Sequence, residues 1–101
     1  MADKPPRTIR AVPRFLKSKR RLPERVQEEL DAQIQQVAAN PLLGDPKTGA
    51  LRGVRVVKFK VEVQQYLLAY LFFPKPNVIE LIDVGVHENF YRDLQRHPSE
   101  R

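Results

Sequence analysis

The sequence predicts an α+β domain: a helical hairpin packed on a small, mainly antiparallel four-stranded sheet with a C-terminal helix, in the order β-α-α-β-β-β-α. Two observations carry this. Val26, Leu30, Ile34 and Val37 recur at spacings of four, four and three, which is one face of an α-helix. From Leu51 onward the chain turns to β-branched and aromatic runs broken by short turns, and strands linked so closely pair as antiparallel hairpins.

Residues 1–7, MADKPPR, hold Pro5 and Pro6 and no apolar pattern, so they read as a tail before one domain over 8–97, with a second short tail over 98–101. Thr8 to Val12 fits a short edge strand. Pro13 suits a first helical turn, where its missing N–H would have had no partner. Phe15 and Leu16, followed by Lys17, Lys19, Arg20 and Arg21, read as a short basic helix with an apolar anchor. Leu22-Pro23-Glu24 restarts a helix, with Glu24 favourable at the positive end of its dipole. Asn40-Pro41 stops that helix, and Leu42 to Gly49 is a turn-rich loop.

The run Leu51 to Lys60, LRGVRVVKFK, is the first of three long strands. Gly53 turns the backbone at low steric cost. Alternation puts Val57, Phe59 and Val61 on one face and Lys58 and Lys60 on the other. Gln65 to Phe73 is the most apolar stretch and reads as a central strand buried on both faces. Pro74 to Asn77 is a turn, and Val78 to Val86 is the last strand, with Gly85 near its end where backbone can pass close to a ligand. His87 to Arg96 has helical spacing in Phe90 and Leu94, and Pro98 lies beyond it.

Composition excludes several classes. With no cysteine, this chain has no disulfide, zinc ribbon or thiol chemistry. No apolar run approaches the roughly 18 residues of a membrane span, and no apolar signal core opens the sequence, so a soluble, cytoplasmic protein without membrane association is expected. The formal charge of +6 is clustered: Met1 to Arg25 carry nine bases against two acids, and Asp45 to Lys60 carry five against one. Such blocks suit nucleic acid or an acidic protein, although net charge also serves solubility.

There is no Gly-rich phosphate loop, metal-ligand cluster or Ser-His-Asp arrangement to read. What stands out is the lysine pair. Two ammonium groups about 7 Å apart on one strand face repel unless an anion such as a phosphate lies across them. A polar outer face is also ordinary for an antiparallel sheet, and lysine guards edge strands. His87 opens the last helix just after a strand end, and Tyr91 lies four residues on, sharing its helical face. Tyr91 also fits a half-buried aromatic with its hydroxyl at the rim. His97, beyond that helix, reads as solvated.

Between Thr8 and Arg96 the chain resembles the RelE/ParE superfamily of bacterial type II toxin–antitoxin systems, and within it the ParE-like toxin branch. The resemblance rests on the order of Phe15 to Leu22 with its basic residues, Asn40-Pro41 followed by Gly44, Leu51-Arg52-Gly53, Lys58-Phe59-Lys60, Tyr66 to Tyr70, Val84-Gly85 and Tyr91-Arg92-Asp93-Leu94. It implies a metal-independent endoribonuclease that cuts mRNA in the ribosomal A site without a cofactor. By position, the catalytic set would be Lys58, Lys60, His87 and Tyr91, one lysine acting as base, the other stabilising charge, and His87 as acid. Arg52, Arg55, Arg92, Lys17, Arg20 and Arg21 would contact RNA phosphate. One position departs: the arginine expected after Tyr66 is Leu67. That departure favours the alternative of a DNA gyrase inhibitor without nuclease activity. An RNA-binding accessory protein would explain the basic blocks but not the ordered motifs. The resemblance also implies a small cognate antitoxin that wraps the hairpin and sheet.

Overall fold

Alternation along residues 55–61 decides how the sheet is layered. In a computed structural model describing residues 7–86 together with Phe90, Tyr91 and Leu94, β3 spans Arg55–Val61. Val57 and Phe59 enter one core while Val56 enters another, and Lys58 and Lys60 stand exposed on the side of Val56. The sheet therefore has two covered faces, as the apolar central strand requires.

The chain order is β1 (Thr8–Ala11), α1 (Pro13–Arg20), α2 (Glu24–Ala39), β2 (Asp45–Pro46), β3, β4 (Gln64–Phe73) and β5 (Val78–Val86). The sheet has five strands in the order β1-β5-β4-β3-β2. One expectation, the strand count, is corrected here, and one is made finer. A fifth strand arises inside the predicted loop, where Asp45 and Pro46 pair with Val56 and Arg55. Only two residues long, it leaves no apolar pattern to read. The sheet is also mixed, because β1 runs parallel to β5, from Thr8 opposite Val78 to Ala11 opposite Leu81. Parallel pairing needs a crossover, and here the hairpin and three strands supply it.

The long strands behave as their sequences predict. The turn Glu62-Val63 joins β3 to β4, and Pro74 to Asn77 join β4 to β5, with Glu62 and Asn77 both at positive φ. Strand β3 starts later than Leu51, since Gly49–Leu51 form a 3₁₀ turn and Gly53, at φ 95°, redirects the chain. Between β4 and β5 a bulge sets Ala69 against Asp83 but Tyr70 against Leu81, leaving Ile82 as the extra residue. The bulge flips the phase of β5, so Ile82 joins the core of Leu67 and Ala69 while Leu81 and Val84 join the opposite one.

The helices cover the first face. Pro13 occupies the first turn of α1, while Pro23 caps α2 and its carbonyl accepts from Gln27 N–H. Val26, Leu30 and Val37 are buried and Ile34 packs beside them. A fully buried leucine contributes about 1.5–3 kcal/mol, so this stripe, more than propensity, holds α2 down. Phe59 and Tyr66, paired across β3 and β4, stack at 5.6 Å beneath the helices. On the second face Leu51, Phe90 and Leu94 cover Val56, Leu67, Ala69 and Ile82. Phe90, Tyr91 and Leu94 are helical, and the rest of the predicted last helix lies outside the described residues.

Candidate functional site

Strands β3 and β5 run in the same direction, both antiparallel to β4, so their C-terminal ends share one end of the sheet. Lys58 stands opposite Leu67, which stands opposite Gly85. Two strand spacings place the lysine about 10 Å from that glycine. Lys60 stands two pairs further on, opposite Gln65. Both lysines are exposed and have no ion-pair partner among the described residues. Tyr91 is half-buried against the core of this same face, edge-on to Phe90 at 5.5 Å. Three of the four expected catalytic residues, Lys58, Lys60 and Tyr91, thus share one side of the sheet. His87 and Arg92 lie outside the described residues.

The other predicted cations divide into two sets. Arg25 pairs with Glu62, which fixes the start of α2 at the β3–β4 turn. The α1–α2 junction with Arg20 and Arg21 therefore lies at the lysine end of the sheet. Arg20, Arg21 and Lys17 are exposed, again without an ion-pair partner among the described residues. Arg52 is exposed in the turn before β3. Arg55 is placed otherwise. It lies on the helix side, and its Nη1 donates to Gly44 O at 2.7 Å and to Leu42 O at 3.3 Å. Its guanidinium is engaged in bracing the loop after α2.

That brace is completed by Tyr70. Its hydroxyl donates to Pro41 O at 2.7 Å and accepts Gly44 N–H at 2.9 Å, so a wholly buried phenol is satisfied on both sides. Burial pushes the phenol above its ordinary pKa of 10.0, against the smaller lowering effects of the Gly44 N–H and Arg55. A second buried anchor is Asp83, whose carboxylate accepts Ser18 Oγ at 2.6 Å, Arg14 Nε at 3.1 Å and its neighbour Val84 N–H at 2.9 Å. It fastens α1 along the part of β5 that β1 leaves unpaired. Sequence reading gave neither anchor a role. For Asp83 the signal was a carboxylate inside an apolar strand, which a partner must neutralise.

Leu67 is 0% exposed, under the lysine pair and in contact with the second core. At the position where the resemblance expects a cation, the face is apolar and closed. Gly85 is free of steric demand for a ligand, since a Cβ there would meet the Phe90 ring at an ordinary 3.5 Å. Among the described residues no group of three or more His, Cys, Asp or Glu is placed to hold a metal ion, and no helix is long and apolar enough to cross a membrane.

A two-helix hairpin over one face of a small mixed sheet is a fold shared with solved RelE toxins. Three solved structures show the likeness. The intact E. coli RelBE toxin–antitoxin complex matches with TM-score 0.68 at 24% identity, over 81% of this chain and 98% of that one. The RelBE2 toxin–antitoxin complex of Mycobacterium tuberculosis matches with TM-score 0.71 at 19% identity, over 81% and 99%. The isolated E. coli RelE toxin matches with TM-score 0.64 at 24% identity, over 89% and 97%. At these identities the likeness speaks for the fold. No curated protein matches the chain. The family model of the ParE-like toxins of type II bacterial toxin–antitoxin systems matches residues 9–95, and the chain belongs to that family.

Proposed function

We propose that this toxin acts as a ribosome-dependent, metal-independent mRNA endoribonuclease. The observation that supports this most is the placement of Lys58 and Lys60, exposed and without ion-pair partners among the described residues, on the sheet face that also carries Tyr91. Cleavage by an RNA 2′-hydroxyl needs a base for that proton, cations for the charge that develops on the phosphorane, and an acid for the departing 5′-oxygen. One lysine, as the neutral amine, takes the first task, and the other, as the ammonium, takes the second. His87 takes the third, since imidazole exchanges protons close to neutral pH. Each proton-transfer group contributes about 10²- to 10⁴-fold. Lys17, Arg20, Arg21 and Arg52, all exposed, are assigned with Arg92 to contacts with RNA phosphate.

The partner that silences it is a small antitoxin. Solved RelE relatives exist as complexes with theirs, and an acidic, partly disordered segment folding onto the hairpin and basic end suits the charge distribution.

A second reading is inhibition of DNA gyrase, favoured by one observation: Leu67 is buried and apolar where a cation is expected. Purified protein added to translating ribosomes, with the mRNA mapped by primer extension, separates the two. Discrete cuts at the A-site codon, absent on naked RNA, support the nuclease. Protein that still stops growth but makes no cuts rules it out, and a supercoiling assay then tests gyrase.

A further inference from the structure

The loop between β2 and β3 enters that reading only through Arg52, yet its first residue reaches Tyr91. The Nζ of Lys47 sits over the Tyr91 ring, 5.2 Å from its centroid. The loop is held at several points. Lys47 N–H donates to Val54 O at 2.9 Å, and Asp45 and Pro46 are paired into the sheet just before it. The 3₁₀ turn that follows sends Leu51 into the second core with Phe90 and Leu94, while Val54 and Tyr91 pack against that core's margin. The loop is therefore a wall facing the helical residue Tyr91. Lys47 is half-buried in it, so its ammonium is delivered from a fixed base.

We propose that Lys47 is a positioning residue for Tyr91. Its ammonium over the ring face holds the ring against the margin of the second core, and so sets where the Tyr91 hydroxyl points. The inference rests on the reading of Tyr91 as a site residue. A lysine over an aromatic face at a partly exposed site shifts a conformational equilibrium by about two- to fivefold. That is the size of effect to look for. Arginine stacks on aromatic faces as well as lysine does. Methionine keeps the reach but has no charge.

The test is a cycle in the full-length protein with Lys47→Met, Lys47→Arg, Tyr91→Leu and the Lys47→Met/Tyr91→Leu double variant. Thermal transitions confirm that each is folded. In ribosome-dependent cleavage, Lys47→Met is expected to lower the rate at saturating ribosomes about two- to fivefold with apparent KM unchanged. Lys47→Arg should restore it, and Lys47→Met should have no further effect once Tyr91 is leucine. A loss that persists in the Tyr91→Leu background, a change confined to KM, or no loss at all overturns the inference. If the parent protein makes no cuts, the nuclease reading fails on its own. The same cycle is then read on growth arrest in cells, where coupling between the two positions sustains the positioning role and strict additivity overturns it.

Discussion

Lys58 and Leu67 face each other across β3 and β4, one open to solvent and the other wholly buried. Cross-strand partners stand about 5 Å apart on one sheet face. The lysine therefore rises at the edge of an apolar floor that continues through Ala69 to Phe90 and Leu94. A phosphate above Lys58 would meet cations from β3 and hydrocarbon from β4.

Replacing Lys58 or Lys60 by alanine should leave stability within about 0.5 kcal/mol, because both side chains are exposed. Growth arrest and A-site cleavage should fall, by about 10²-fold or more for whichever lysine is the base. His87→Ala should behave likewise. Urea unfolding and primer extension on the same preparations make the check. Undiminished cutting by both Lys60→Ala and His87→Ala would sink the mechanism.

Restoring the expected cation with Leu67→Arg should damage the protein. It removes a buried leucine and puts a guanidinium into the apolar second core, a combination that costs about 3 kcal/mol or more. A lower urea midpoint is the expected result. A variant as stable as its parent would show that the floor can open.

Asp83→Ala should cost about 1–3 kcal/mol, since it removes the buried acceptor shared by Ser18 Oγ, Arg14 Nε and Val84 N–H. The denaturation midpoint should drop accordingly. Serine at position 18 changed to alanine should cost less, about 1 kcal/mol, because Arg14 and Val84 N–H still hold the carboxylate.

Tyr70→Phe removes the partner of both Pro41 O and Gly44 N–H and should cost about 1–3 kcal/mol. It should also alter the alkaline limb of stability. Because the folded phenol titrates above its unfolded value of 10.0, its contribution is full below about pH 10 and is lost as pH climbs through the raised folded value. Tyr70→Phe should lack that part of the decline when unfolding free energies are compared from pH 8 upward.

Gly44→Ala probes the same joint sterically. A Cβ would meet Tyr70 Cε1 at 2.9 Å and Val56 N at 3.1 Å, so the loop must back away from a buried ring and a paired strand. A loss of about 1–3 kcal/mol is expected in urea unfolding.

Much of this was legible in the sequence because it obeys a period. The stripe Val26, Leu30, Ile34, Val37 and the alternation Val57, Lys58, Phe59, Lys60 each report one element's burial, and both were read correctly. What escaped reading depends on residues far apart in the chain. The two-residue β2 has no period. The parallel partnership of β1 is decided by β5, and the bulge at Ile82 by how β4 and β5 meet. Arg55 looks like any surface cation until its two carbonyl acceptors are placed. Lys47 could not be joined to Tyr91 from their spacing, since a folded loop and a helix bring them together.

The pairing of β1 with β5 also sets a timetable. The strand at Thr8–Ala11 finds its partner only when Val78–Leu81 have been made, roughly 4 to 14 s later at ordinary elongation rates. Until then α1 lacks Asp83, and the floor beneath the lysines lacks β5 and Phe90. An unfinished chain cannot assemble that surface, so any activity that depends on it begins only near the end of each round of synthesis.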